Sequence, residues 1–480
     1  MSAVEASGGA TFELAEVLAA TGGELATLGS HTRFAGVTTD SRRLRAGELF
    51  VAIRGETHDG HEFLAEADER GAGAVVVEPE HADRRLGCGV VVVRDSLAAL
   101  GDLAAFHRRR HKPRVIAVTG SNGKTTTKEM LAAILERAFG AGRVLRTVGT
   151  QNNLVGLPLT LLRLEGTERA AILELGMNGP GEIWRLAQIA EPDVGVITCV
   201  APAHLEGLGS IHGVAEAKAE LYRRLRPSAT AVVNADDPLV SASARAFPGR
   251  KIPFGTAAHG EGGIAVAATG IVDHGLDGCE FRLVVERREV PIRLAVPGRH
   301  NVTNALAAAA VAHALGVDIE AVQAGLESFQ PPGMRMEVTH LPTGVTVLND
   351  AYNANPASMA AALRTLAASR GRRRVAALGE MRELGAASAA AHHDLGGQAA
   401  GAHLDALFLL GAHAEAVRAG AEAAGMPGDQ IIVAASHDDL GARLRAYCRT
   451  GDLVLLKGSR GAAMERVLAH LRLEPGREPS

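Results

Sequence analysis

Short runs of apolar, often β-branched residues alternate along this chain with longer Ala- and Leu-rich stretches in which apolar residues recur at helical spacing. The short runs, bounded by turn residues, predict buried strands, and the longer stretches predict helices. Strands are predicted at 74–77, 90–93, 115–119, 171–175, 194–200, 231–233, 375–378, 407–410, 431–433 and 453–456, and helices at 97–107, 124–139 and 301–315. Such alternation is typical of βαβ units, so the chain is predicted to be an α/β protein with parallel sheets.

Two proline-containing breaks divide this pattern into three parts. Pro113 follows the first of these helices, and Pro331 and Pro332 follow the last one. Because proline lacks a backbone donor and disfavours helix at the preceding residue, both places are typical of linkers. The sequence therefore predicts three domains, which agrees with a length of 480 residues at roughly 150 residues per domain. Their predicted bounds are 1–112, 113–329 and 330–480, the last a smaller, Rossmann-like domain.

The composition is that of a globular protein without an extended nucleic-acid surface. Hydrophobic residues make up 47% and charged residues 22% of the chain, which excludes a disordered or fibrous class. The 50 Lys and Arg residues are outnumbered by 54 Asp and Glu residues, and the formal net charge is -4. Broad binding to a phosphate backbone is therefore not expected, and any basic site must be local.

The sequence also carries information about where the protein works. Residues 1–16 include acids and no basic region before an apolar core, and no uncharged apolar run has the length of a membrane helix. The four cysteines lie far apart, without the spacing of a zinc site or of a disulfide framework. We expect a cytoplasmic monomer that neither binds nucleic acid nor inserts into a membrane.

The clearest chemical motif runs from Val118 to Thr127, reads VTGSNGKTTT, and lies between a predicted strand and a predicted helix. Its two glycines allow backbone N–H groups to turn toward an anion, and the helix start adds a favourable dipole. Lys124 can reach terminal phosphates, and Thr125 can hold Mg²⁺. The spacing departs from the usual Walker A motif, which has a glycine where this chain has Val118. A simple Gly-rich turn is the alternative, but the strand-to-helix context favours a nucleotide site.

A phosphate site of this kind needs a metal ion, and carboxylates at the ends of neighbouring strands are natural ligands. Glu174 ends a predicted strand, although a helix-dipole partner or a solvated acid is an equally good interpretation. His204 follows the next predicted strand and could hold a second Mg²⁺, but taken alone it is better explained as a loop histidine. Lys218 lies between Glu216 and Glu220, and the sequence alone favours a solvated helix face.

These residues belong to a longer series of motifs that resembles the Mur ligases of peptidoglycan synthesis, to which the folylpolyglutamate synthetases are related. The series covers all three predicted domains in the expected order. Its members are Thr39-Asp40-Ser41-Arg42, the segment 119–125, Asn152-Asn153, Glu174-Leu175-Gly176, His204-Leu205-Glu206, Lys218, Asn234, the segment 298–304, Asp350 and Lys457-Gly458-Ser459-Arg460. The resemblance implies a central ATP-binding P-loop domain between an N-terminal UDP-sugar-binding domain and a C-terminal ligase domain.

Two further segments are similar to the family members that add D-alanyl-D-alanine to UDP-N-acetylmuramoyl-tripeptide. They are the segment 350–356 (DAYNANP) with Ser358, and the segment 379–385 (GEMRELG) with His392. The DNPR motif of the diaminopimelate-adding members is absent from the sequence. The implied partners are therefore these two small-molecule substrates.

The resemblance implies a role for each matching residue of the nucleotide and metal site. Lys124 would grip the ATP phosphates and, with His204 and Lys218, forms the implied catalytic set. The implied ligands of two Mg²⁺ ions are Thr125, Glu174, His204 and Lys218, the lysine after CO₂ has converted it to an anionic carbamate. The other implied nucleotide contacts are Gly120, Asn122, Gly123, Thr126, Asn301 at the adenine, and Arg335 and Asp350 from the third domain.

The implied substrate contacts are spread over the chain. Asp40, Ser41 and Arg42 would bind the UDP-sugar end, and the segment 59–61 (DGH) belongs to the pattern of the same domain. The remaining implied substrate contacts are Asn153, Asn353, Asn355 and Ser358.

The implied reaction activates an inert carboxylate with ATP. Mg²⁺ and Lys124 would neutralise charge on the transferring phosphoryl group, an acyl phosphate would form, and the dipeptide amine would displace phosphate through a tetrahedral intermediate. No covalent enzyme nucleophile is needed, in agreement with the lack of a recognisable Cys/His or Ser/His/Asp spacing.

Alternatives of two classes stay open at the level of the sequence. Within the same chemistry, the chain could add the third amino acid of the peptide, or it could polyglutamylate folate, although the segment 40–42 argues against folate. In a different class, it could be a P-loop ATPase switch that controls a partner. The set of Glu174, His204 and Lys218 argues against a switch, because it resembles a two-metal ligase site.

Overall fold

The computed structural model describes residues 9–55, 57–256 and 263–472, which form four β-sheets. The first part of the chain holds a five-stranded sheet in the order β2-β7-β6-β5-β4, parallel except at the β2–β7 pair, and a small antiparallel pair of β1 and β3. Its elements are β1 (Phe12–Glu13), α1 (Leu14–Thr21), β2 (Glu24–Thr27), β3 (Arg33–Phe34), β4 (Val37–Thr38), β5 (Leu49–Val51), α2 (Leu64–Glu69), β6 (Ala74–Val77), β7 (Gly89–Val92) and α3 (Ser96–Arg110).

The middle of the chain builds a nine-stranded sheet in the order β16-β15-β14-β13-β12-β11-β8-β10-β9. Strands β8 to β14 pair with one another in parallel, and β15 and β16 extend the sheet beyond β14 as antiparallel strands. The elements are β8 (Arg114–Thr119), α4 (Lys124–Phe139), β9 (Val144–Arg146), α5 (Gly156–Leu161), β10 (Ala170–Glu174), α6 (Glu182–Ala190), β11 (Val194–Ile197), α7 (Leu205–Leu208), α8 (Ile211–Arg224), β12 (Thr230–Asn234), α9 (Pro238–Ser243), β13 (Arg250–Gly255), β14 (Val266–Asp273), β15 (Cys279–Val285), β16 (Arg288–Leu294), α10 (His300–Ala314) and α11 (Ile319–Glu327).

The last part of the chain forms a six-stranded sheet in the order β17-β18-β22-β19-β20-β21, with only β17 antiparallel. The elements are β17 (Glu337–His340), β18 (Thr346–Asp350), α12 (Pro356–Ala368), β19 (Arg374–Leu378), α13 (Ser388–Gly401), β20 (Ala406–Leu410), α14 (Ala414–Ala423), β21 (Ile431–Ala434), α15 (His437–Tyr447), β22 (Leu453–Lys457) and α16 (Glu465–Arg472).

Helices cover both faces of the nine-stranded sheet, and strand β8 shows how the sequence produces this arrangement. Ile116 and Val118 point into the core shared with α4 and α10, whereas Val115 and Ala117 point into the core shared with α3, α6 and α8. Successive side chains of a strand face opposite sides, so a strand buried on both sides must be apolar throughout. The first core continues into the last sheet and the second into the first sheet, so the three parts share their hydrophobic interior.

The predicted α/β class is confirmed by these largely parallel sheets. The predicted strand 194–200 is shorter in the structure, because β11 ends at Ile197 and the chain then turns over the segment after β8. The predicted boundaries fall in the connections between α3 and β8 and between α11 and β17, and the division into domains stays a prediction. No helix among the described residues is both long enough and apolar enough to span a bilayer.

Candidate active site

The glycine-rich segment lies at the carboxyl edge of the middle sheet, between β8 and α4. Strands β10 and β11 flank β8 in parallel, so the residues after all three strands meet at this edge. A Cβ on Gly120 would lie 1.8 Å from Thr198 Oγ1, and a Cβ on Gly123 would lie 2.1 Å from Asn304 Oδ1. Gly123 also has a φ of 81°, which favours glycine. A side chain therefore does not fit at either position. Glycines at both places let the backbone form a cradle for an anion.

Lys124 begins helix α4 at the centre of this edge, and Thr125 and Thr126 follow it in the first turn. Its Nζ donates to the carbonyl oxygen of Gly120 at 2.8 Å. Burial lowers the pKa of Lys124, and the positive charge of Arg335 lowers it further, while Glu174 opposes the shift. Arg335 comes from the last part of the chain and stacks 3.7 Å over the ring of Tyr352. Two cations of distant sequence position thus face the start of the same helix, where they can bind an anionic ligand.

Glu174 is buried beside Lys124 and is held by neutral donors. Thr125 Oγ1 donates to Glu174 Oε2 at 2.8 Å, and Asn152 Nδ2 donates to Glu174 Oε1 at 3.0 Å. The backbone N–H of Glu174 donates to Thr147 Oγ1 at 3.0 Å. The interpretation of Glu174 as a solvated acid is therefore wrong, because only 3% of the residue is exposed. A buried carboxylate with hydroxyl and amide neighbours is a donor set that suits a hard cation.

Lys128, for which no role is predicted from the sequence, supports the loop that holds Glu174. Lys128 is buried on α4, and its Nζ donates to the carbonyl oxygen of Thr147 at 2.5 Å and pairs with Glu129 Oε1 at 2.8 Å. Thr147 in turn receives the backbone N–H of Glu174, so the lysine anchors the loop that fixes this carboxylate. Lys128 stands four residues after Lys124, on the face shared with buried residues, and this spacing is a signal that the sequence offers.

Replacing Lys128 with methionine is expected to lower the free energy of unfolding by about 1–3 kcal/mol, because the carbonyl oxygen of Thr147 loses its buried donor. Glu129 keeps Arg146 as an ion-pair partner, which limits the loss. Equilibrium unfolding in urea measures the change. The same substitution at the exposed Lys251 is the matched control, and equal stabilities of the two variants would contradict the anchoring role.

Lys218 lies on the buried face of helix α8, with 2% of its surface exposed. The prediction of a solvated helix face is therefore wrong. Glu216 and Glu220 lie two residues to either side, about 200° around the helix, so their side chains point away from that of Lys218. Burial, with a contribution from the charge of Lys124, lowers the pKa of Lys218 to about 7. At neutral pH much of this amine is therefore unprotonated, which makes it a nucleophile.

His204 lies in the loop after β11, directly before the short helix α7. Its Nδ1 is 2.6 Å from Glu383 Oε2, a residue between β19 and α13 of the last sheet. This carboxylate was not predicted as a functional residue, although the segment 379–385 was singled out as a motif.

Other predicted nucleotide and substrate residues lie at the boundary between the middle and last sheets or within the last part of the chain. The Asn122 and Asn355 side-chain amides bond to each other, at 2.8 and 3.2 Å. Asn355 also caps α12 with Ser358. Asp350 Oδ2 pairs with Lys457 Nζ at 2.5 Å, and Lys457 also donates to the carbonyl oxygen of Asn353. The Asn122–Asn355 pair places the start of α12 directly against the glycine-rich segment.

The side chains of Asn301 and Asn153 form hydrogen bonds with neighbouring residues of the chain in this structure. Asn301 is buried, donates to the carbonyl oxygen of Pro297 and accepts from Asn304, whose Oδ1 faces Gly123. Asn153 Oδ1 accepts two backbone N–H groups at the start of α5.

The predicted sugar-binding residues form a local network in the first part of the chain. The Asp40 carboxylate accepts hydrogen bonds from the side chain and from the backbone N–H of Arg42. The Ser41 hydroxyl donates to Glu66 at 2.8 Å. The Arg42 side chain is largely exposed and available to a ligand. In the segment 59–61, both ring nitrogens of His61 are bonded, to Asp59 and to the backbone of Glu78, so this histidine holds its loop.

Comparison with known proteins gives a consistent result along the whole chain. Three sequence models match, described as "Mur ligase family, catalytic domain" at 33–108, "Mur ligase middle domain" at 118–312 and "Mur ligase, glutamate ligase domain" at 334–460. The UDP-N-acetylmuramoyl-tripeptide--D-alanyl-D-alanine ligase of Escherichia coli K12 is 38% identical over 440 residues, covering 91% of this chain and 93% of that protein. The ligase of the same name from Bacillus subtilis 168 is 34% identical, with coverages of 92% and 93%.

Solved structures agree with the sequence comparison. A crystal structure of MurF from Acinetobacter baumannii superimposes with a TM-score of 0.87 at 32% identity, covering 96% of this chain and 99% of that one. MurF ligase from Thermotoga maritima in complex with ADP gives a TM-score of 0.79 at 28% identity, with coverages of 91% and 96%. With relatives of this similarity over nearly its whole length, and with all three family models matched in order, the chain belongs to the Mur ligase family.

Proposed function

We propose that this protein is an ATP-dependent ligase that joins D-alanyl-D-alanine to UDP-N-acetylmuramoyl-tripeptide in the synthesis of peptidoglycan precursors. The names of the relatives in Escherichia coli and Bacillus subtilis give this reaction. The single structural observation that carries the proposal is the meeting of Lys124, Glu174 and Lys218 at the carboxyl edge of the middle sheet. One cation, one buried carboxylate and one reactive amine together suit phosphoryl transfer to a carboxylate.

ATP is proposed to bind with its phosphates on the glycine-rich segment, as the ADP complex of the Thermotoga relative supports. Backbone N–H groups at the start of α4 and the Lys124 ammonium group bind the phosphate oxygens. Arg335 adds a second positive charge from the connection that precedes β17. Asn122, Gly120, Gly123 and Thr126 line the phosphates, and we assign Asn301 and Asp350 to the nucleoside.

The described residues fit a divalent cation beside the phosphates. The Thr125 hydroxyl and the Glu174 carboxylate offer two hard oxygen donors in contact with each other. His204 uses Nδ1 toward Glu383 and leaves Nε2 as a donor for a second ion. When bound, Mg²⁺ would neutralise charge on the transferring phosphoryl group.

Lys218 is proposed to complete this donor set as a carbamate. Its pKa of about 7 leaves much of the amine unprotonated near neutral pH, and an unprotonated amine can attack CO₂ with loss of one proton. The product carries a negative charge and two oxygens in place of a buried cation. Because burial disfavours the ammonium form, the site favours the unprotonated amine that this attack requires.

The reaction then follows from the positions of these groups. An oxygen of the terminal carboxylate of the tripeptide attacks the γ-phosphorus of ATP, and ADP leaves while Lys124 stabilises the charge. The D-alanyl-D-alanine amine attacks the resulting acyl phosphate, a tetrahedral intermediate forms, and inorganic phosphate leaves with the original carboxylate oxygen. No group of the protein forms a covalent bond to substrate in this sequence.

Substrate contacts are proposed on both sides of the nucleotide. We assign the UDP-sugar end to Asp40, Ser41 and the exposed side chain of Arg42. The remaining contacts are assigned to Asn153, Asn353, Asn355 and Ser358. The four cysteines are free thiols, which supports the proposal that the protein works in the cytoplasm, and we propose that it acts as a monomer.

The proposed reaction predicts that phosphate release requires both UDP-N-acetylmuramoyl-tripeptide and D-alanyl-D-alanine. With ¹⁸O in the terminal carboxylate of the tripeptide, one labelled oxygen is expected in each released phosphate, as mass spectrometry of the phosphate can measure. A nucleotide switch would release unlabelled phosphate without both substrates. A ligase that adds the third residue would accept a UDP-dipeptide and a free amino acid, and either result would overturn the proposal.

A further inference from the structure

The contact between His204 and Glu383 joins two separate sheets at the edge of the candidate site. His204 belongs to the middle sheet, and Glu383 to the turn that follows β19 in the last sheet. Besides the 2.6 Å approach of the two side chains, the backbone N–H of Glu206 donates to the carbonyl oxygen of Glu383 at 3.3 Å. One side-chain contact and one backbone contact therefore hold Glu383 against the loop that carries His204.

Both loops have the unusual backbone that a specific fit requires. His204 and Glu383 have φ values of 53° and 64°, a left-handed conformation that costs free energy for residues other than glycine. Gly385, also left-handed, lies next to Glu206, and a Cβ there would be in ordinary van der Waals contact with Glu206 Cα at 3.4 Å. Such strain persists only where the surrounding structure fixes it, and it is common at functional sites.

The Glu383 turn is also held from behind within the last sheet. Arg382 N–H donates to Ser459 Oγ at 2.9 Å, and Met381 N–H donates to His392 Nε2 at 3.0 Å. The other ring nitrogen of His392 faces the carbonyl oxygen of Ser388 at 2.7 Å. Both nitrogens of this histidine are therefore engaged, and it helps to hold the turn.

The chemistry of the pair gives Glu383 a direct task. A carboxylate is an acceptor, so its contact assigns the imidazole proton to Nδ1 and leaves the lone pair on Nε2. Histidines that bind metal commonly donate their second N–H to a carboxylate, which fixes the ring and increases its basicity.

We propose that Glu383 is a positioning residue that orients His204 for metal binding across the boundary between the two sheets. The proposal rests on the proposed function in one respect, that His204 is a metal ligand. It adds that the ligand is correctly oriented only when the last sheet is docked on the middle one. Assembly of the metal site is thus coupled to docking of the part of the chain that supplies Arg335.

Mn²⁺ binding in the presence of ADP tests this proposal without turnover. Electron paramagnetic resonance on the full chain counts bound ions and gives their affinities. Glu383→Ala is expected to weaken one Mn²⁺ by about 10- to 100-fold, as for other residues that support a ligand. Glu383→Gln keeps an acceptor oxygen and is expected to give a smaller loss. Glu415→Ala, which removes an exposed acid on helix α14 in the same part of the chain, is the matched control and should bind as the unmodified protein does.

A double-mutant cycle identifies the route of the effect. In a His204→Ala background, Glu383→Ala is expected to cause no further loss, because the carboxylate then has no ligand to orient. Wild-type Mn²⁺ binding by Glu383→Ala, or an equal loss in both backgrounds, would overturn the proposal. Glu174→Ala separates this failure from that of the proposed function: if it too binds Mn²⁺ normally, the metal assignment itself is wrong. Thermal unfolding of each variant checks that the fold is retained.

Discussion

Replacing Lys124 with methionine is expected to lower kcat for amide formation by about a thousandfold, the largest loss we expect from one side chain. Lys124 begins α4 with its Nζ 2.8 Å from the carbonyl oxygen of Gly120, beside Glu174 and within the field of Arg335. Phosphoryl transfer spreads negative charge over the γ-phosphate oxygens, and methionine keeps the length of the side chain while removing the charge that stabilises them.

The expected stability change distinguishes this effect from misfolding. Burial already lowers the pKa of Lys124, so the folded protein bears a cost for this cation when no anion is bound. The variant is therefore expected to unfold at a temperature close to that of the unmodified protein, because relief of this cost offsets the loss of the donor to the Gly120 carbonyl oxygen. Steady-state phosphate release at saturating substrates measures kcat, and the exposed Lys112→Met is the control. Less than a tenfold loss with a normal thermal midpoint would remove Lys124 from the phosphoryl-transfer step.

The strands around this lysine could be predicted because they are buried on both faces. β8, β10 and β12 are continuous apolar runs, and their carboxyl ends fix where a ligand site must lie. By contrast, β15 and β16 escaped prediction. In β15 buried and exposed residues alternate, as expected for antiparallel strands beyond the parallel part of the sheet, and charged residues interrupt the apolar pattern. A search for continuous apolar runs cannot detect such strands.

In the candidate site, too, contacts between neighbouring elements could be predicted from the sequence, and contacts between separate sheets could not. The pairing of Thr125 with Glu174 could be expected from two neighbouring parallel strands. The acids beside Lys218 in the sequence favour a solvated helix face. Val214, Leu221 and Tyr222, which lie three or four residues away, indicate instead that its face of α8 is buried. Glu383 contacts His204 from a different sheet, and no local pattern encodes how two sheets dock.

Removal of the Lys218 amine is expected to lower the rate of amide formation by roughly a hundredfold or more, with partial recovery on adding short carboxylates such as acetate or formate. Lys218→Ala leaves a space where a carbamate would present two oxygens, and a small carboxylate supplies oxygens of the same charge to that place. Rescue of this variant, and not of Lys124→Met, is expected, because a carboxylate cannot replace a phosphate-binding cation. Steady-state phosphate release with both substrates, measured against carboxylate concentration, gives the result. Full activity without added carboxylate would exclude the carbamate.

The unmodified protein offers an independent test of the same group. Removal of dissolved CO₂ is expected to abolish activity slowly, and its return to restore it. The pKa of Lys218 is about 7, so raising the pH through that value converts ammonium to the amine that attacks CO₂. At fixed dissolved CO₂, the rate of reactivation is therefore expected to rise with pH and to level off above about 8, where most of the amine is unprotonated. A reactivation rate that falls as the pH rises would contradict attack by this amine, because the fraction of the lysine that can attack CO₂ only increases with pH.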